Sequence, residues 1–472
     1  TKFLKLNPFK KLLGQTAIYG LSSVVGRLLN YLLVPLYTRY FLPEEYAIVV
    51  ELYAYVAFLV IILTYGIETA FFRFTNTTAD IKSVYSTALF SVITTSCIFI
   101  ALIFVYSSSL SNLLGSEILT EYIQWFAIIV SFDAISSIPF ARLRKRERAL
   151  QFSLTKLINI STNIGLNLYF IVYKGFGIEY IFISNLVASI ITLLLLTTEI
   201  FKATFSFDFS LWKRMMIYAF PLLIAGLAGI TNETIDRVLL KHLIIDQDVA
   251  VYELGLYGAF YKLSIIMVLF TQTFRFAAEP YFFSLHKNSN NRVIYADVMK
   301  YFIIVMSTIF LAAIVYYDII IKFLGSNYHD ERGFVVVSIL LLANLFLGIY
   351  FNLSIWYKLT EKTIYGAFFA LFGALITLTL NFLLIPKIGF VGSAWATLAC
   401  YFSMMIASYY YCKKYFPIPY QISLILVYII FMMIIYFFVY FTNYNVIFNS
   451  LFLLLFIIFV YILERKNFLI KT

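Results

Sequence analysis

Three basic side chains fall inside long apolar runs of the sequence: Arg27, Lys156 and Lys262. A charge within hydrocarbon costs several kcal/mol unless it faces water, a ligand or an opposite charge. A guanidinium presents a planar fork that fits phosphate, and an ammonium presents a point charge, so the chemistry on offer is anion binding. Thr16, Ser23, Arg27 and Asn30 share one helical face by their spacing. Lys156, Asn159, Asn163 and Asn167 form a second stripe, and three amides on one face are costly toward lipid, so that stripe faces protein or water. Gly255, Gly258 and Ala259 share the face of Lys262 and permit close approach, while Tyr257 and Tyr261 lie one turn away, placed to hydrogen-bond or stack on a ring. Each cation also has a structural alternative. Arg27 could pair with Asp133, Lys262 with Glu233 or Asp236, and Lys156 could snorkel from near the start of its span.

The acidic groups deepest in apolar sequence are Asp133, Glu233 and Asp236, each a candidate to carry a proton or sodium ion. Glu68, Arg73, Arg275 and Glu279 stand at the ends of two spans, where opposite charges form either a gate or an ordinary interface anchor. Cys97, Cys400 and Cys412 make no CxxC pair and His242, His286 and His329 are scattered, so no metal site and no catalytic residue is assigned.

The elements that position these groups follow from composition. Of 472 residues, 62% are hydrophobic and only 12% charged, half the charge of a soluble domain. Apolar stretches of about 20 residues recur along the chain, the signature of helical membrane spans. This excludes a soluble enzyme, a disordered chain, a disulfide scaffold and an alternating-pattern barrel. Fourteen spans are predicted, near 14–37, 46–72, 84–106, 119–139, 152–173, 179–201, 215–235, 254–274, 300–321, 334–357, 363–385, 390–411, 421–441 and 445–462. The first reads as a retained span rather than a cleaved signal, because its apolar run is too long. With the N-terminus inside, 25 of the 35 Lys and Arg fall on inside segments and 7 on outside loops, which predicts both termini in the cytoplasm. The net charge of +11 is then loop charge rather than a sign of nucleic acid. The densest loop, Arg142 to Arg148, reads as an anchor on an anionic leaflet.

The two halves repeat. Leu166-Asn167 followed by Gly175-Phe176 matches Leu380-Asn381 followed by Gly389-Phe390 at a constant offset of 214. The expectation is an all-α polytopic membrane protein with an N-terminal lobe at 1–213 (spans 1–6), a C-terminal lobe at 214–414 (spans 7–12) and two further spans with a tail at 415–472. Both halves start inside, and repeated halves around a central site are a transporter signature.

More specific segments carry a resemblance. They are Gly20-Leu21-Ser22-Ser23-Val24-Val25-Gly26-Arg27, Pro35-Leu36-Tyr37-Thr38-Arg39, the run Tyr65 to Phe74, Gly255-Leu256-Tyr257 and the run Phe274 to Pro280. In this order within a fourteen-span frame, the chain resembles the polysaccharide-biosynthesis (Wzx-like) flippases of the multidrug/oligosaccharidyl-lipid/polysaccharide exporter superfamily. The resemblance implies two six-helix, MATE-like lobes around a central cavity lined mainly by spans 1, 2, 7 and 8. It also implies alternating-access export of a lipid-linked oligosaccharide, such as an O-antigen unit of lipopolysaccharide on an undecaprenyl-pyrophosphate carrier.

On that reading Arg27, Lys262, Asn30, Tyr257, Tyr261, Asn163 and Lys156 bind substrate, Glu68, Arg73, Arg275 and Glu279 gate, and Asp133, Glu233 or Asp236 couples an ion. The protein is expected to be a monomer in the bacterial inner membrane. Its partners are the lipid-linked substrate, membrane lipids and other polysaccharide assembly proteins. No cofactor is expected; a proton, a sodium ion or the membrane potential drives it. Two alternatives stand: a multidrug exporter of the same superfamily, and a membrane enzyme such as a polysaccharide polymerase or glycosyltransferase. The first would favour an acid-dominated cavity, and the second a sizeable outer loop with catalytic groups.

Overall fold

A computed structural model describes residues 25–26, 28–77, 80–114, 119–204, 206–285, 292–442 and 446–471. Among the described residues the secondary structure is helical, without a strand. Helices satisfy every backbone polar group internally, as hydrocarbon demands. In chain order the main helices are α1 (Leu33–Tyr40), α2 (Pro43–Thr64), α3 (Ile67–Thr77), α4 (Ile81–Leu114), α5 (Leu119–Lys145), α6 (Ala149–Asn167), α7 (Glu179–Ile200) and α8 (Phe209–Leu243). There follow α9 (Gln247–Leu263), α10 (Ile265–Leu285), α11 (Arg292–Val315), α12 (Gly333–Leu353), α13 (Ile364–Ile388), α14 (Phe390–Tyr415), α15 (Ile422–Thr442) and α16 (Val446–Lys471).

Among the described residues eleven helices are long and apolar enough to cross a membrane, or twelve when α9 and α10 count as one broken span. The polar helix α6, extended by a π-helical stretch at Leu168–Tyr173, occupies the position of one further expected span, and much of the first expected span, 14–37, lies outside the described residues. Large apolar side chains such as Leu375 and Phe441 remain exposed, as suits a surface that meets lipid.

The chain divides into two compact units, one holding residues 45–238 with the segment before Leu42, the other holding 42–44 and 239–472. In the first, the break between α2 and α3 falls at Tyr65 and Gly66, both with positive φ. The Tyr65 hydroxyl meets Ser91 Oγ at 2.5 Å, and the Trp212 indole donates to the same oxygen at 2.8 Å, so three helices lock around that bend. In the second unit, α15 and α16 pack on α11. Lys300 of α11 donates to Glu464 of α16 at 2.7 Å, and the Tyr428 hydroxyl of α15 donates to the other carboxylate oxygen at 2.7 Å. Both charges are sealed from solvent. Hydropathy places Lys300 at the edge of a span among the loop cations; the structure makes it a buried cation, neutralised by an acid far along the chain.

The internal repeat has a physical basis. Asn167 and Asn381 are both fully buried, and each returns its amide to the carbonyl four residues earlier, at 2.8 and 2.7 Å. Eight residues on, Gly175 and Gly389 both take positive φ, +67° and +57°, a conformation open to glycine at little cost.

Candidate functional site

Asp133 lies near the middle of α5 and Lys156 is the eighth residue of α6; both side chains stay exposed. The Ser189 hydroxyl of α7 donates to Asp133 Oδ1 at 3.0 Å. The Lys156 ammonium sits 4.4 Å over the Phe140 ring, and Asp133 and Lys156 act on each other electrostatically. Lys156 also feels Glu68 and Arg144, so opposite charges line one unit from mid-span toward its end.

The asparagine stripe divides by role. Asn159 donates to Thr192 Oγ1 at 2.8 Å. Asn167 donates to the Asn163 side chain at 3.0 Å and accepts from the Tyr37 hydroxyl at 3.0 Å. Asn159 and Asn167 join helices, Asn163 braces Asn167 within α6, and Lys156 is the member of the stripe that stays open. Sequence reasoning missed the facing helix. Asn185, Ser189 and Thr192 recur there at intervals of four and three, a polar face within an apolar span. Asn185 of that face donates to the Tyr53 hydroxyl at 2.7 Å.

The other expected residues are placed as follows. Arg27, with Thr16 and Ser23, lies outside the described residues; Asn30 is described and exposed. Lys262 occupies the last turn of α9, half-buried, just before a 43° break at Ser264. The sequence treats span 8 as continuous, but the serine side chain bonds back to the Tyr261 carbonyl at 2.8 Å and helps end the first segment. Tyr257 and Tyr261 are buried, their rings 6.3 Å apart. Asp236 is buried and 3.7 Å from Arg237, while Glu233 is exposed, its carbonyl accepting from Arg237 at 2.8 Å.

The four gate candidates are each engaged within their own unit. Glu68 is ion-paired with Arg144, and Arg73 stacks 4.2 Å over Tyr218. Glu279 receives Lys358 at 2.7 Å and Arg275 at 3.2 Å, with Arg275 4.1 Å over Phe351.

The model of the family described as polysaccharide biosynthesis protein matches residues 12–286, more than half of the chain. The chain belongs to that family. It is similar to the capsular polysaccharide biosynthesis protein CapF of Staphylococcus aureus, 23% identical over 352 residues, which cover 70% of this chain and 82% of that protein. Its fold is that of solved membrane transporters. A lipid II flippase, MurJ, in an inward closed conformation superposes with a TM-score of 0.77 at 17% identity, over 95% of this chain and 99% of the other. An inward-facing MATE multidrug resistance transporter of the MOP superfamily gives 0.67 at 13% identity, over 84% and 94%. The expected MATE-like all-helical architecture therefore holds.

Proposed function

We propose that this chain is a flippase that moves an oligosaccharide linked to a polyprenyl pyrophosphate, a surface-polysaccharide repeat unit, from the cytoplasmic to the outer leaflet. The observation that carries the reading is an exposed cation, Lys156, set against Asp133 of a membrane-length helix in a transporter fold. A charge left open there is costly against lipid, so its natural setting is a water-filled or substrate-filled space. Family membership and the capsule-related relative support a surface-polysaccharide substrate. The proposal covers O-antigen and capsular units alike, wherever they are carried on a polyprenyl pyrophosphate.

In this scheme Arg27 and Lys262 grip the phosphates and Lys156 extends the cationic path. Asn30, Asn163, Tyr257 and Tyr261 line or brace the route of the sugars. Asp133, Glu233 or Asp236 carries the coupling ion, and the Glu68, Arg73, Arg275 and Glu279 groups exchange partners as the route opens and closes. Both termini face the cytoplasm of a bacterial inner-membrane protein that acts as a monomer, with lobes at 1–213 and 214–414 and two further spans after them. A pyrophosphate moving outward gains about 2.3 kcal/mol per charge per 100 mV from an inside-negative potential. The cations must hold it less tightly on the outer side, because equal binding in both states shifts nothing.

The test is surface-glycan display in a deletion strain carrying variants at matched membrane levels. Arg27→Ala abolishes display, and Arg27→Lys restores part of it because a point charge does not reproduce a bidentate fork. Full display by Arg27→Ala, Lys262→Ala and the double variant would remove these cations from the substrate path.

A further inference from the structure

Away from this site, one end of the first unit gathers cations around a single buried acid. Glu199, in the last turn of α7, is fully buried. Three cations converge on its carboxylate: Arg142 Nε at 3.6 Å, Arg148 Nη1 at 3.5 Å, and Lys202, which is also hydrogen-bonded to it. Arg142 donates to the Glu199 carbonyl at 3.2 Å, as does the Tyr85 hydroxyl at 2.8 Å, and the guanidinium stacks 4.3 Å over the Tyr85 ring. Arg142 is thus consumed within the protein. Arg148 and Lys202 are different, with side chains 48% and 38% exposed, so each touches the acid from one side and solvent from the other. Exposed Arg146 adds its field at Tyr85.

Glu199 is thus one carboxylate shared by three cations, Arg142, Arg148 and Lys202. The Arg148 guanidinium also donates to the Gln151 side chain of α6 at 3.4 Å, which fixes it over the first turn of that helix. One fixed anion orients the heads of Arg148 and Lys202, and their exposed sides can receive a second.

We propose that Arg148, Lys202 and Arg146 form a binding site for the phosphate of an anionic phospholipid headgroup, held in shape by the buried Glu199 hub. On the orientation proposed above, this end of the unit meets the inner leaflet, where anionic lipid is at hand, and the site rests on that reading for its place in the cell. It deepens the anchor role of the Arg142–Arg148 loop: cation heads oriented by a buried carboxylate replace diffuse attraction. Glu199 is a positioning residue, since its carboxylate is sealed beneath the exposed heads.

The test uses the purified full-length protein in neutral detergent, so it is independent of both transport and orientation. Fluorescent phosphatidylglycerol and phosphatidylcholine are titrated, with inorganic phosphate as competitor. The proposal predicts phosphatidylglycerol bound about tenfold more tightly than phosphatidylcholine, and about a tenfold loss in Arg148→Gln/Lys202→Gln, from roughly a fewfold per cation near a lipid phosphate. Lys413→Gln/Lys414→Gln, which removes two exposed cations of the other unit, leaves binding unchanged. Arg146→Gln, which spares the contacts of Glu199, weakens binding about threefold and keeps the test open if the double variant misfolds. Equal losses in both double variants, no loss in any variant, or displacement by inorganic phosphate as effective as by phosphatidylglycerol would overturn it.

Discussion

The two units differ in the setting of one charge pair each, although the first also buries Arg142 against Glu199. The first leaves Asp133 and Lys156 exposed within its helices, while the second seals Lys300 against Glu464. The contrast extends to the repeated turn. Around Gly175 nothing lies near the position a Cβ would take. Around Gly389 the Glu253 carboxylate fills that position, accepting from the Phe390 N–H at 2.9 Å and from Arg332 at 2.7 Å. Arg332 also holds Asp330 through bonds of 3.0 and 2.9 Å and stacks 4.3 Å over Phe390. A shared backbone solution therefore carries two different surroundings: an ionic clasp in one unit and an open turn in the other. The lesson is that the repeat preserves what the backbone requires, and side-chain chemistry is free to diverge around it.

The largest expected effect breaks the sealed pair. Lys300→Met strands the Glu464 charge in a dry site and should cost about 3–5 kcal/mol, seen as a lower melting temperature of the purified protein. Lys300→Met with Glu464→Gln should recover most of that loss, because neither charge is then left alone. By contrast Lys156→Met should leave melting nearly unchanged and abolish export, since its charge is not part of a sealed pair. A variant that melts like Lys300→Met would erase the distinction between the units.

Next come the glycines. Gly389→Ala meets the Glu253 carboxylate in a backbone conformation, φ +57° and ψ −141°, that is almost confined to glycine, and should cost about 3 kcal/mol or more. Gly175→Ala meets open space and should cost about 1–2 kcal/mol for its positive φ alone. Equal shifts in melting temperature would mean that the clasp contributes nothing.

The smallest effect is a pH dependence. Hydrogen bonds from Arg332 hold the Asp330 carboxyl below its ordinary range. A depressed folded value means that the stabilisation is present above the unfolded pKa, about 3.9, and is lost as pH falls through the folded value. Hydrogen exchange in the 325–333 segment should be flat from neutral pH to about 5 and rise below 4 relative to Asp330→Asn.

Much of the fold was legible because hydrocarbon imposes one rule on every span, and the Asn and Gly of the repeat are visible as letters. The break at Ser264 was not, because span 8 has no proline or polar run at that point and only a back-bonding serine marks it. Lys300 escaped for a related reason: its partner lies 164 residues away, and hydropathy alone reads a lysine near a span edge as an anchor. Within the candidate site, the Lys156 stripe was readable from its spacing. Which members would be engaged by neighbours depended on α7, whose Asn185, Ser189 and Thr192 face was present in the sequence and overlooked.

The most direct measurement of the central claim is the sidedness of the lipid-linked oligosaccharide in spheroplasts, read by a membrane-impermeant glycan-cleaving enzyme. With the intact protein the oligosaccharide should be cleavable from outside. With Arg27→Ala or Lys156→Met at equal protein level it should accumulate in protected form on the inner leaflet. Outer-leaflet oligosaccharide at normal levels in both variants would contradict a cation-lined route for the pyrophosphate.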